Sequence, residues 1–327
     1  MSTNTSLETQ SLRKRIGSMG NNLSLIIALI AIFVVLTFAS PYFLSVDNIM
    51  NILLASSIVL IRASGATIAM ITGGMDISQN SVGAVTGVVL ATMALNYGLP
   101  LWLLIILAIG LGILMGALNS TLIAIFKINP IITTLGTMQI LRGLAWIITD
   151  KTVMVADPAL IEMGRGRLGG VIPWAVLIAV GIFILAVWVL KFTTFGRKVY
   201  MIGGNENASF LSGINAKRVK FISYILSAAA ASFAGFLLTC QVGSALPQSG
   251  SGTEMFTISA IILGGLSLSG GKGSLFGTFL GIMVLSTINN GLTLLSVNAY
   301  VQMVVTGAIL ILAVLLDVIR SGALKKQ

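Results

Sequence analysis

Apolar runs of membrane-crossing length, repeated from one end of the chain to the other, decide what this sequence can fold into. They cover about 23–40, 49–71, 81–96, 101–126, 130–149, 173–190, 221–242, 254–269, 274–295 and 299–319. A hydrocarbon core roughly 30 Å thick takes about 20 apolar residues per helix. The runs therefore predict an all-α polytopic membrane protein with about ten transmembrane helices, since the runs are too long for barrel strands. Bulk composition agrees, with 56% hydrophobic and 9% charged residues, against about 25% charged in a soluble globular chain.

Charge gives the orientation. The chain has 19 Lys and Arg against 9 Asp and Glu, a net charge of +10. Nearly all the basic residues lie in gaps between apolar runs, so retention of Lys and Arg on the cytoplasmic side explains them better than a nucleic-acid partner. Residues 1–22 carry Arg13, Lys14 and Arg15 and read as a cytoplasmic tail ahead of an uncleaved first span. The stretch 191–220 has Lys191, Arg197, Lys198, Lys217, Arg218 and Lys220 against Glu206 alone. Residues 320–327 carry Arg320, Lys325 and Lys326. These three segments are expected in the cytoplasm. The loop 150–172 balances Lys151, Arg165 and Arg167 against Asp150, Asp157 and Glu162 and reads as external. Ten spans satisfy every assignment, with 23–319 a single transmembrane domain and both termini on the cytoplasmic side. Five spans on each side of the external loop form two halves of opposite orientation, the arithmetic of an inverted repeat. Asn119 followed by the Asn129-Pro130 helix start faintly echoes Asn290 followed by Asn298.

The chain has no histidine and one cysteine, Cys240, within an apolar run. Thiol-based metal sites and histidine general bases are excluded, and no paired carboxylates share a span, so an enzyme reading is disfavoured. Charged residues inside spans are costly and therefore informative. They are Arg62 in the second span, Arg142 toward the outer part of the fifth, Asp76 in a break just beyond the second, and Glu254 at the start of the eighth. The break, Ile71 to Ser81, gathers two glycines, Asp76, Ser78, Gln79 and Asn80. It reads either as irregular backbone around a cavity or gate, or as a simple cytoplasmic turn. Asn119, Thr133, Thr134, Gln139, Asn289 and Asn290 are further polar insertions. Together these residues are candidates for a translocation pathway suited to a neutral polyol; interhelical hydrogen bonding is the other reading of each. The pairs Gly83/Gly87, Gly112/Gly116 and Gly277/Gly281 have GxxxG spacing and predict close helix packing.

Two strings imitate nucleotide sites and fail. GRGRLG, Gly164 to Gly169, lies in the external loop without a strand before it. GGKGS, Gly270 to Ser274, has Gly273 where a phosphate loop needs Ser or Thr, and Leu266 where it needs its first glycine. Without such a loop, an energised transporter must draw on a partner. The stretch 191–220 is where a partner would push. In it, Asn205 is placed as the N-cap of a short helix, Glu206 in its first turn, and Gly213 at its C′ position.

These residues resemble the permease subunits of ribose-type carbohydrate ABC importers over nearly the whole chain. The strings that carry the likeness are GGMDIS (Gly73 to Ser78), NPIITTLGT and LRG (Asn129 to Thr137, Leu141 to Gly143), GGNENASFLSGIN (Gly203 to Asn215), GTEMFTISAIILGGLSLSGGKGS (Gly252 to Ser274) and NNGL (Asn289 to Leu292). The resemblance implies a second permease chain, identical or different, and an external binding protein that delivers the sugar. It also implies a cytoplasmic tandem-cassette ATPase holding ATP and magnesium and engaging Gly203, Gly204, Asn205, Glu206, Ala208, Gly213 and Ile214. No cofactor is expected in this chain. It departs from the family pattern at Gln79-Asn80, where a Val-Gly or similar small pair is usual, and at Arg62, where an apolar residue is usual. The rival class is an ion-coupled secondary transporter, for which only Asp76 and Glu254 are available as coupling carboxylates.

Overall fold

The computed structural model describes residues 22–321, with side chains described through residue 315. Arg13, Lys14 and Arg15 of the N-terminal tail and Lys325 and Lys326 of the C-terminal tail lie outside the described residues, as does the side chain of Arg320. The chain enters the bundle on α1 (Asn22–Ala39), then α2 (Val46–Ile71), α3 (Gln79–Tyr97) and α4 (Leu101–Ser120), which ends in a π-helical turn, Thr121–Ile125. After α5 (Pro130–Ile148) come strand β1 (Val153–Met154), helix α6 (Pro158–Arg165), and strands β2 (Arg167–Leu168) and β3 (Ile172–Pro173). Helices α7 (Trp174–Phe192), α8 (Thr194–Gly204), α9 (Glu206–Leu211) and α10 (Ala216–Val242) follow. The chain closes with β4 (Ser244–Ala245), α11 (Glu254–Leu263), α12 (Leu275–Leu294) and α13 (Ala299–Ser321).

Seven of these are long and apolar enough to cross a membrane: α1, α2, α4 with its π extension, α5, α7, α10 and α12. The other three expected spans fall on α3, α11 and α13. The expected helix over 254–269 requires correction. Helix α11 stops at Leu263 after ten residues, because Gly265 turns left-handed at φ +86° and closes a Schellman stop, its amide donating to the Ile262 carbonyl at 2.8 Å and the Leu266 amide to the Ile261 carbonyl at 3.3 Å, while Gly264 packs on the backbone of Gly277 and Thr278 on α12. Ten residues at 1.5 Å each make about 15 Å, half a span.

Helix α10 is the packing centre, touching α2, α3 and α4. Its sequence explains this: the run Ser227 to Gly235 is almost all Ser, Ala and Gly, so neighbouring backbones approach closely, the source of helix association where lipid is as apolar as leucine. Gly83 packs on Gly235, Gly112 on Ala229 and Ser232, and Gly116 on Ile225 and Ala228. Gly281 packs on Ala260. All three GxxxG pairs therefore serve close packing. Small hydroxyls add interhelical bonds at this seam: Ser232 Oγ donates to the Ala108 carbonyl at 2.6 Å and Ser120 Oγ to the Phe221 carbonyl at 2.7 Å.

Contacts fix the two ends of the bundle. At one, the distal end, β1 pairs antiparallel with β4, and Arg165 of α6 donates to the carbonyls of Gln241 and Val242 at the end of α10. Arg167 lies 3.7 Å from Asp47 in the first turn of α2. Gly164 in GRGRLG packs on the Cys240–Gln241 backbone, a structural role. At the opposite, proximal end, Lys220 in α10 meets Glu206 of α9 at 2.6 Å. The proximal stretch also holds an element the sequence did not suggest, the eleven-residue α8, capped by Thr193.

Candidate functional site

Two segments enter the bundle from opposite ends and meet near Arg62. The first, Thr72 to Ser78, leaves α2 at Ile71 and turns back to start α3 at Gln79. The second, Leu246 to Thr253, leaves the distal end of α10 and turns inward to start α11 at Glu254. Arg62 is nine residues before the end of α2, so the meeting point lies about 14 Å above that end. Irregular backbone at this depth needs protein or water around it. Here protein supplies it, and the break at 71–81 is an inserted segment, not a simple surface turn.

Side chains complete the arrangement. Arg62 Nη1 donates to Asn80 Oδ1. Asn80 Nδ2 donates to the Gly250 carbonyl at 2.7 Å and to Thr253 Oγ1 at 3.0 Å. From the other side, Arg142 Nη1 donates to the carbonyls of Pro247 and Ser249 at 2.6 and 2.9 Å, and Nη2 lies 3.7 Å from Glu254 Oε1. Arg62 and Asn80, the second residue of the Gln79-Asn80 pair, are thus direct partners.

Below this lies a carboxylate hub. Asp76 Oδ1 accepts from the Ser78 amide at 3.0 Å and from Ser78 Oγ at 2.6 Å. Its Oδ2 accepts from Ser227 Oγ of α10 at 2.7 Å. Gln79 Nε2 donates to Ser227 Oγ and Asn119 Nδ2 to Ser78 Oγ, each at 3.0 Å. Each hydroxyl therefore receives a proton from an amide and passes its own to the carboxylate, the pattern that suits an ionised Asp76. Thr134 Oγ1 of α5 reaches the Met75 carbonyl at 3.4 Å and its own helix at Pro130 at 2.8 Å, and Thr133 is buried on the same helix.

The structure thus gathers Arg62, Asp76, Ser78, Asn119, Arg142 and Glu254 around the two inserted segments, with Thr133 and Thr134 at the margin. It does not bring in the rest. Asn290 exchanges amide hydrogen bonds with Asn48 at the distal start of α2, at 2.8 and 3.0 Å. Asn289 is half-buried beside it on α12, and Gln139 is exposed on α5. Sequence reasoning missed Ser227, Pro247, Gly250 and Thr253. A serine in a run of alanines and three residues of a Gly/Ser-rich loop carry no local mark of the partners they find.

The proximal end carries the second candidate. Asn205 caps α9, its Oδ1 accepting from the Ala208 amide at 3.0 Å. Gly213, at φ +77°, ends it. The Gly213 amide donates to the Phe210 carbonyl at 2.9 Å and the Ile214 amide to the Ser209 carbonyl at 3.0 Å, the two bonds of a Schellman stop. Gly203, at the end of α8, abuts the Ile71 carbonyl and Gly271 so closely that a Cβ would collide. The Gly271 amide donates to that same Ile71 carbonyl at 2.8 Å. Tyr200 Oη donates to the Gly273 carbonyl at 3.1 Å, and burial pushes its pKa upward, keeping it a donor. The string GGKGS is therefore a backbone junction between α2, α8 and α12. Sequence reasoning missed one more feature: Phe210 and Leu211 of α9 are 73% and 86% exposed, an apolar pair at the end where the basic residues collect.

Comparison with known proteins adds to this geometry. Residues 48–314 match the family model described as branched-chain amino acid transport system / permease component. The chain is 37% identical over 296 residues to the ribose import permease protein RbsC of Haemophilus influenzae, covering 89% of this chain and 91% of that one. It is 39% identical over 300 residues to the ribose import permease protein RbsC of Escherichia coli K12, covering 89% and 92%. It is 36% identical over 302 residues to the L-arabinose transport system permease protein AraH of Escherichia coli K12, covering 92% of each. No solved structure matches the chain.

Proposed function

From the premise that this chain belongs to the transport-system permease family, as its match over residues 48–314 and its kinship with the ribose import permeases establish, we propose that it carries a monosaccharide, ribose or another pentose or hexose, into the cytoplasm as the membrane subunit of an ATP-binding-cassette importer. Ten spans in two inverted halves, both termini cytoplasmic, place the proximal end inside and the distal end outside. A partner ATPase holds ATP and magnesium, a second permease chain completes the membrane unit, and an external binding protein delivers the sugar to the distal end.

The observation that carries the reading is the coupling segment. A helix capped at both ends presents Phe210 and Leu211 outward at the proximal end; exposed apolar side chains on an aqueous end mark a protein contact. The same segment meets the end of α2 and the loop before α12 through Gly203 and Tyr200. Motion of a docked ATPase would reach the inserted segment 72–78 through this junction, the alternating-access step the resemblance implies. Ion-coupled transport is less well supported. Asp76 already has three protein donors, and Glu254 is paired with Arg142.

Detergent-solubilised protein is expected to retain the cognate ATPase on an affinity column, and Phe210→Asp with Leu211→Asp to weaken that retention about tenfold or more. Equal retention by the variant would remove α9 from the contact.

A further inference from the structure

The segment Leu246 to Thr253 is tied to the rest of the bundle in an unusual way. Its backbone bonds are turns within itself: the Ser249 amide to the Leu246 carbonyl at 3.0 Å, Ser251 to Gln248 at 2.9 Å, and Thr253 to Gly250 at 3.2 Å. Gly250 and Gly252 hold φ of +72° and +81°, so the turns depend on glycine. Among the described residues, its hydrogen bonds to other elements come from two side chains, Arg142 of α5 and Asn80 of α3, which donate to its carbonyls of Pro247, Ser249 and Gly250 and to Thr253 Oγ1.

Asn80 can play this part in one orientation only. Both protons of its amide go to the segment, and its oxygen faces Arg62. A flipped amide would set its NH2 against the guanidinium and its oxygen against the Gly250 carbonyl, and the Thr253 hydroxyl already gives its proton to that carbonyl at 2.9 Å. Arg62 has no hydrogen bond to Leu246–Thr253 among the described residues, so its influence passes through Asn80.

We propose that Leu246–Thr253 is a gate over the distal half of the pathway, that Asn80 and Arg142 are its two latches, and that Arg62 is the positioning residue that fixes Asn80 in its latching orientation. A neutral polyhydroxylated solute has hydroxyls that accept from amide and guanidinium donors as the segment's carbonyls do. Release of the gate therefore exchanges one set of acceptors for another and keeps the Asn80 and Arg142 donors that hold the segment paired. Arg62 and Asn80 thereby become determinants of which hydroxyl pattern opens the gate. The outward direction rests on the importer reading; the latch does not.

The test uses the full chain in proteoliposomes with Cys240→Ala, since Cys240 is fully buried, and Ser249→Cys as a half-buried reporter. The rate of labelling by a membrane-impermeant maleimide is measured. Asn80→Ala is expected to raise it about fivefold or more, the loss of two hydrogen bonds. Arg62→Met raises it less, Arg62→Lys, which keeps a donor toward Asn80 Oδ1, stays near the parent, and Arg62→Met adds nothing once Asn80 is Ala. Arg142→Met reads the second latch independently, should Asn80→Ala fail to reach the membrane. Parental labelling in both Asn80→Ala and Arg142→Met overturns the latch, and an additive effect of Arg62→Met in the Asn80→Ala background overturns the positioning role. Labelling needs no transport, so faster labelling without ATP-driven sugar uptake would leave the latch standing and remove the importer reading.

Discussion

Asp76 lies buried inside the bundle and receives three hydrogen bonds, two from Ser78 and one from Ser227. Those donors do the work that water would do outside, and the amides of Gln79 and Asn119 hold the two hydroxyls in place. Ser227→Ala takes away the one donor to Oδ2 among the described residues, so it is expected to lower stability by about 1–3 kcal/mol, measurable as a lower thermal midpoint in detergent. Unchanged stability would mean that water reaches the carboxylate. Half of this hub is legible in the sequence: a carboxylate between apolar runs stands out because such charges are rare there. Ser227 is not legible, because hydroxyls inside membrane helices commonly bond their own backbone, as Ser223 does to Val219. The same holds across the site. Arg62, Arg142 and Glu254 announce themselves by charge, whereas the Pro247 and Ser249 carbonyls that Arg142 meets and the Gly250 carbonyl that Asn80 meets are backbone groups that any sequence would supply.

Elements follow the same division. The caps of α9 can be read from Asn205 and Gly213 because their chemistry is local: a side-chain acceptor before the first turn and a left-handed residue after the last. The length of α11 cannot be read this way. Residues 254–269 are nearly all apolar or small, and glycine pairs are tolerated within membrane helices, so nothing local marks Gly265 as the left-handed residue that closes the helix after Leu263. Gln139 is a contrast, since an amide within a span suggests an inward-facing side chain, yet it is exposed on α5 and takes no part in the cluster around Arg62. At the seam of α10, a Cβ on Gly235 would run into the backbone of Gly83, which cannot yield as a flexible side chain can. Gly235→Leu is therefore expected to cost about 3 kcal/mol or more, at the upper end of overpacking effects. The readout is loss of monodisperse protein in detergent, and a variant as stable as the parent would mean that α3 and α10 can move apart.

For the whole molecule, the positive charges and the contacts tell one story. The loop 150–172, the start of α2 and the end of α10 share the distal end, and the basic stretch 191–220 lies at the other, where Glu206 and Lys220 join α9 to α10. Membership of the permease family gives these two ends their meaning in the proposal: delivery at one, energy at the other, with the inserted segments between. The most direct measurement is ATP-driven uptake of labelled ribose and related sugars into proteoliposomes holding this chain with its cognate ATPase and binding protein. The account predicts accumulation that requires all three proteins and ATP. It also predicts a fall of about tenfold or more, equivalent to about 1.4 kcal/mol in a barrier, for Gly213→Pro, which cannot adopt the φ of +77°, and for Glu206→Lys, which sets two cations together at Lys220. Uptake without the ATPase, or parental rates in both variants, would contradict it.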